Sequence, residues 1–106
     1  LYSNTTGGSN TAVGDDALTG NTTASNNTAV GGHALFANTT GTKNTAVGQG
    51  SLDANTTAGS NTAIGSSALT SNTTGNSNTS LGSGSLSSNT AASNDTVYEG
   101  GRGAGT

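Results

Sequence analysis

The apolar residues of this chain return on a fixed step. Asn-Thr-Ala-Val-Gly stands at 10–14, 27–31 and 44–48. Asn-Thr-Ala-Ile-Gly follows at 61–65 and Asn-Thr-Ser-Leu-Gly at 78–82, so the step is 17 residues each time. A decayed copy begins at Asp95 with Thr96, Val97 and Tyr98, and Leu1 to Ser9 match the second half of a unit. Aligned on this step, one column is branched aliphatic (Val13, Val30, Val47, Ile64, Leu81). A second is Leu throughout (Leu1, Leu18, Leu35, Leu52, Leu69, Leu86), preceded by a small column of Ala17, Ala34, Ser51, Ala68 and Ser85. The two residues after each column Gly, and the two after each Leu, vary freely.

A unit this short cannot hold a helix pair, and its Asn, Thr, Ser and Gly are poor residues for a helix interior. The step therefore predicts an all-β parallel β-solenoid (a β-roll or β-helix) with one 17-residue repeat per coil and about six coils. Thr-Ala-Val reads as a short strand, and a second short strand is expected near Ala-Leu. Bends are expected at Gly14, Gly31, Gly48, Gly65 and Gly82, because glycine tolerates the left-handed backbone of tight corners. Stacked coils lie ~4.8 Å apart, so six span roughly 29 Å. Identical residues then sit above one another. The Asn columns Asn10, Asn27, Asn44, Asn61, Asn78 and Asn21, Asn38, Asn55, Asn72 become candidate side-chain ladders. Both aliphatic columns are expected in the core. The repeat domain runs over 1–98, and 99–106 reads as a Gly-rich tail.

Composition turns this reading into a question about the core. Hydrophobic residues are 27% of the 106 residues and charged residues 7%, which by itself resembles a low-complexity chain. The apolar residues are concentrated in two columns, but the core they make is thin. Sharing the aliphatic columns between chains would complete it, and a three-fold axis is the simplest closed arrangement. Composition also excludes chemistry. Without Cys there is no thiolate site, and one His cannot build a histidine metal cluster. Two cations cannot track a phosphate backbone, so no nucleic-acid partner is expected. No apolar run reaches the ~20 residues of a membrane span, so no membrane insertion is expected. No nucleophile, base or metal set can be assembled from one His and five scattered acids. The expectation is a non-enzyme with no cofactor.

The repeat Asn-Thr-Ala-Val-Gly-x-x-Ala-Leu-x-x-Asn-Thr-Thr-Gly resembles those of phage tail-fibre-like proteins and of bacterial surface proteins with tail-fibre domains, over residues 1–98. In many of these the repeats precede an intramolecular chaperone domain of the endosialidase type. It is more distantly similar to the head repeat of trimeric autotransporter adhesins, where an Ala-Ile-Gly strand builds a left-handed β-roll trimer. The resemblance implies a homotrimeric, extracellular structural segment, on a virion tail fibre or a cell surface, that supports attachment. From Tyr98 the pattern breaks into Glu-Gly-Gly-Arg-Gly-Ala-Gly-Thr.

Candidate recognition residues lie in the variable positions: Asp15 and Asp16 after the first Gly, His33 one unit later, and Phe36 after a Leu. An exposed aromatic can stack on a sugar, which makes a cell-surface glycan a candidate partner beside the chain itself. Two other functions fit the repeat. A head-to-tail filament is one, because the first coil begins mid-unit at Leu1 without a cap. Ice binding is the other, since Thr recurs in rows such as Thr11, Thr28, Thr45, Thr62, Thr79 and Thr96. The bland alternative is that these hydroxyls satisfy turns and backbone groups. Asn-x-Ser/Thr sequons begin at Asn4, Asn21, Asn26, Asn38, Asn55, Asn72, Asn78 and Asn94, and a buried Asn ladder could carry no sugar.

Overall fold

The computed structural model describes residues 1–98; the Gly-rich segment expected at 99–106 lies outside the described residues. Six short strands follow one another: β1 (Thr11–Val13), β2 (Thr28–Val30), β3 (Thr45–Val47), β4 (Thr62–Ile64), β5 (Thr79–Leu81) and β6 (Thr96–Val97). They form one parallel sheet in the order β1-β2-β3-β4-β5-β6. Register is without slip: Thr11 pairs with Thr28, Ala12 with Ala29 and Val13 with Val30, and later pairs repeat the shift of one unit. The chain is a β-solenoid of about five turns, with one strand per turn.

The second strand expected near Ala-Leu is absent among the described residues. That wall is a run of tight turns. Ala17 N–H donates to Gly14 O, Thr19 N–H to Asp16 O and Asn21 N–H to Leu18 O, each at 3.3 Å. The amides between them point along the stack: Leu18 N–H reaches Ala34 O and Gly20 N–H reaches Phe36 O, both at 3.0 Å. Alternation between local and inter-coil bonds satisfies the backbone without an extended strand. Asp16, third in its turn, has φ 58°, as that position of a type II turn demands. The next turn puts Leu18 in that place, at φ 54°. Leu35, Leu52, Leu69 and Leu86 repeat it, with φ from 50° to 53°. An unbranched Cβ makes this tolerable for Leu, where a β-branched residue would be strongly strained.

The aliphatic columns part company. Leu18, Leu35, Leu52, Leu69 and Leu86 are wholly buried. Leu1, at the first coil, is 40% exposed. The branched column expected in the core instead faces outward: Val13 is 57% exposed, Ile64 39% and Leu81 43%, with Val30 and Val47 partly buried. The reason is the two-residue period of a strand. Thr and Val of Thr-Ala-Val share one face, and the Ala between them takes the other. The core is therefore Leu and Ala from the turn wall against Ala29, Ala46 and Ala63 from the sheet wall. Ala12 and Val97, in the same column, pack partly buried against it.

In the fifth unit Ser80 and Ser85 replace the facing Ala pair, and their hydroxyls are in hydrogen-bond contact. Ser80 Oγ also donates to Ser85 O at 2.8 Å, and Ser85 Oγ to Gly82 O at 2.9 Å. The glycine bends have φ from 124° to 136°. A Cβ on Gly48 would lie 2.6 Å from the carbonyl carbon of Gly65, so close stacking demands glycine there as well as the backbone angle.

Candidate functional surfaces

Two Asn columns line the buried side of the coil and meet at one carbonyl. Asn21, Asn38, Asn55 and Asn72 form an amide ladder. Asn38 Nδ2 donates to Asn21 Oδ1 at 3.0 Å, Asn55 Nδ2 to Asn38 Oδ1 at 2.9 Å and Asn72 Nδ2 to Asn55 Oδ1 at 3.1 Å. Asn10, Asn27, Asn44, Asn61 and Asn78 work differently. Each Oδ1 accepts the backbone N–H of the residue one unit on, as Asn10 Oδ1 does from Asn27 N–H at 2.9 Å. Each Nδ2 crosses to a carbonyl 14 residues ahead. This column is thus a relay between side chain and backbone, not an amide ladder.

The shared acceptors are the carbonyls of Ala24, Gly41, Ala58, Gly75 and Ala92, each taking an amide from both columns, with Asn89 continuing the ladder at Ala92. Sequence reasoning overlooked this hub. Its signal is a column that is only ever Gly or Ala, from Gly7 to Ala92. At Gly7, Gly41 and Gly75 an added Cβ would collide with the next coil's carbonyl oxygen. No buried side-chain nitrogen or oxygen among the described residues lacks a partner. The asparagines that look like sequons are therefore structural: Asn21, Asn38, Asn55, Asn72 and Asn78 are buried and bonded. Of the sequon asparagines only Asn26 and Asn94 stand exposed, both two places before a strand.

The sheet wall presents a Thr row and an aliphatic row side by side. It carries no ionisable side chain from Thr11–Val13 through Thr79–Leu81. Another Thr row is occupied internally. Thr5 Oγ1, Thr22 Oγ1, Thr39 Oγ1 and Thr73 Oγ1 donate to the Thr carbonyl one unit on, at 3.0–3.3 Å.

The turn wall carries the candidate recognition residues and gathers three of them. His33 and Phe36 are first and fourth residues of one turn, closed by Phe36 N–H on His33 O at 3.2 Å. Their rings stack with centroids 4.8 Å apart and planes 18° from parallel. Asp16 stands one coil below His33, its Oδ2 3.7 Å from His33 Nε2, and both side chains are nearly half exposed. Thr19 Oγ1 lies 3.4 Å from Asp16 Oδ1 and donates to Asp16 O at 2.9 Å. Asp15 enters through its backbone, accepting His33 N–H at 2.9 Å. Among the described residues no three His, Cys, Asp or Glu side chains converge as a metal site needs. Among the described residues no helix is long and apolar enough to cross a membrane.

Comparison with protein-family models, with curated proteins and with solved structures finds no match to this chain.

Proposed function

We propose that the chain is a non-catalytic, stiff segment of an extracellular fibre, of the phage-tail or surface-adhesin kind, whose copies pack side by side as a homo-oligomer. The observation that carries this reading is the outward aliphatic row. Val13, Val30, Val47, Ile64 and Leu81 run in register from β1 to β5, three of them exposed and two partly buried, uninterrupted by charge. An apolar stripe of this regularity is surface that another apolar surface should cover. A second copy offers the same row at the same pitch. The sheet face measures about 10 Å by 29 Å, roughly 290 Å² per copy. A standard interface takes about 800 Å² per partner. Association through this length of stripe is therefore weak, and grows with every added coil. A trimer about a central axis is the arrangement that lets each stripe meet two others.

Sedimentation equilibrium over a wide concentration range tests this. The expected result is reversible self-association, weakened by Ile64→Ser and Leu81→Ser without loss of folded structure. A chain that stays monomeric into the millimolar range overturns the packing, and the fibre reading with it.

A second reading rests on the Thr row that shares this face. Thr11, Thr28, Thr45, Thr62 and Thr79 place hydroxyls and methyls in a regular uncharged array, the chemistry of an ice-binding plane. The neighbouring row weakens it, because its side chains lengthen from Val to Ile to Leu and break the plane. Thermal hysteresis in a millimolar solution would support ice binding; none would end it.

A further inference from the structure

Three of the four carboxylates among the described residues lie on one stretch of the turn wall, and the fourth, Asp95, is buried in the last coil. From Ala54 to Asn94 there is no charged residue. Asp15, Asp16 and Asp53 all lie on the turn wall of the first three coils, while Lys43 belongs to the column that precedes the strand. The same stretch holds the one stacked ring pair among the described residues, His33 on Phe36. Inter-coil bonding sets the order along the stack. Gly20 N–H reaches Phe36 O at 3.0 Å and Ala37 N–H reaches Asp53 O at 3.0 Å, so Thr19, Phe36 and Asp53 occupy one column. Asp16 and His33 occupy the column beside it, and Gly50 follows them there with no side chain.

We propose that this patch, centred on His33 and Phe36, binds a compact organic cation: a guanidinium or quaternary ammonium group. An aromatic face carries negative quadrupole density and attracts a cation laid over it. Carboxylates on the coil below and the coil above add attraction of the same sign. Two coils separate Asp16 from Asp53, about 10 Å along the stack, which leaves room for such a group over the rings. The closed turn and the Thr19 contact to Asp16 hold the parts in place before the ligand arrives, so little ordering cost remains. An anion is repelled. A neutral sugar gains the stacking but forgoes the charge attraction.

The test is an NMR titration of the whole chain in low salt with tetramethylammonium chloride and, separately, arginine methyl ester. Sodium chloride and methyl pyranosides serve as comparison arms. The expected result is a saturable shift at His33, Phe36, Asp16 and Asp53 with either cation, lost at high ionic strength because a Debye length of about 10 Å at 0.1 M screens exposed charges. Phe36→Ala should weaken binding roughly two- to fivefold, the range for one exposed cation–π contact. Asp53→Asn should weaken it by removing one carboxylate. These side chains are outside the core, and unchanged signals from the buried Leu column confirm the fold. Shifts no larger than those with sodium chloride overturn the proposal. So does a response to pyranosides alone, or full affinity in Phe36→Ala. The readout needs only the folded chain, so it stands apart from the outcome of the self-association experiment.

Discussion

The sheet wall and the turn wall carry nearly the same aliphatic content, one large residue per coil, yet treat it in opposite ways. On the sheet wall the side chain points out, because Thr-Ala-Val is extended and its middle residue takes the inner face. On the turn wall two left-handed places follow each other two residues apart, and the tight turns aim the first, Asp16 or His33, at solvent and the second, the Leu, at the axis. The lesson is that column hydrophobicity does not decide burial in a narrow coil. The direction the backbone gives each side chain does, and here the strand side of the core is lined mainly by Ala29, Ala46 and Ala63.

The largest effect should follow from removing a turn-wall anchor. Leu52→Ala should cost about 3–5 kcal/mol in urea unfolding, because Leu52 is fully buried between like neighbours in a core with few other large groups. A loss below 1 kcal/mol would mean that the Leu column does not hold the stack. Next comes the polar side of the coil. Asn55→Ala removes the donor to Asn38 Oδ1 and Ala58 O and the acceptor of Asn72 Nδ2. Buried groups left unpaired cost about 1–3 kcal/mol each, so a loss of about 3 kcal/mol is expected in the same assay.

Leu52→Ile isolates the backbone from the burial. Such a volume-conserving exchange usually costs under about 1.5 kcal/mol. At φ 51° the branched Cβ meets strain that Leu avoids, so a cost above that figure is expected. An ordinary cost would show that the turn relaxes readily. The smallest effect belongs to the sheet wall. Val47→Ala should change the stability of the isolated chain by about 1 kcal/mol or less, since the side chain is outward and only partly buried. Equal losses for Val47→Ala and Leu52→Ala would erase the difference between the walls.

Much of this was legible beforehand. The 17-residue step, the parallel in-register stacking, the buried Leu column and the glycine bends follow from spacing and residue type, because a solenoid repeats whatever one unit does. The Asn21–Asn72 ladder was legible for the same reason. Three features were not. A single outward Val cannot be told from an inward one when the strand is only three residues long, since alternation needs more positions to show its phase. The turns of the Ala-Leu wall carry a broken turn signature: the variable left-handed place is Gly50 or Gly84 in two units but Asp16, His33 or Ser67 in the others, and the second left-handed place is always Leu. The relay from Asn27 to Gly41 O joins residues 14 apart, a separation no column alignment brings out.

The sequence alone thus settles the period of the molecule and which residues share a column. A constant step with no insertion leaves in-register stacking as the arrangement that superposes every column at once. Which way each column faces was decided only by the closed coil. There the strand phase, the left-handed Leu turns and the two amides meeting at one carbonyl must fit around a core one Leu and two small residues wide. The meeting of His33 with Phe36 and Asp16 is of the same kind. It depends on turn closure and coil stacking together, and neither is written in the residues it joins.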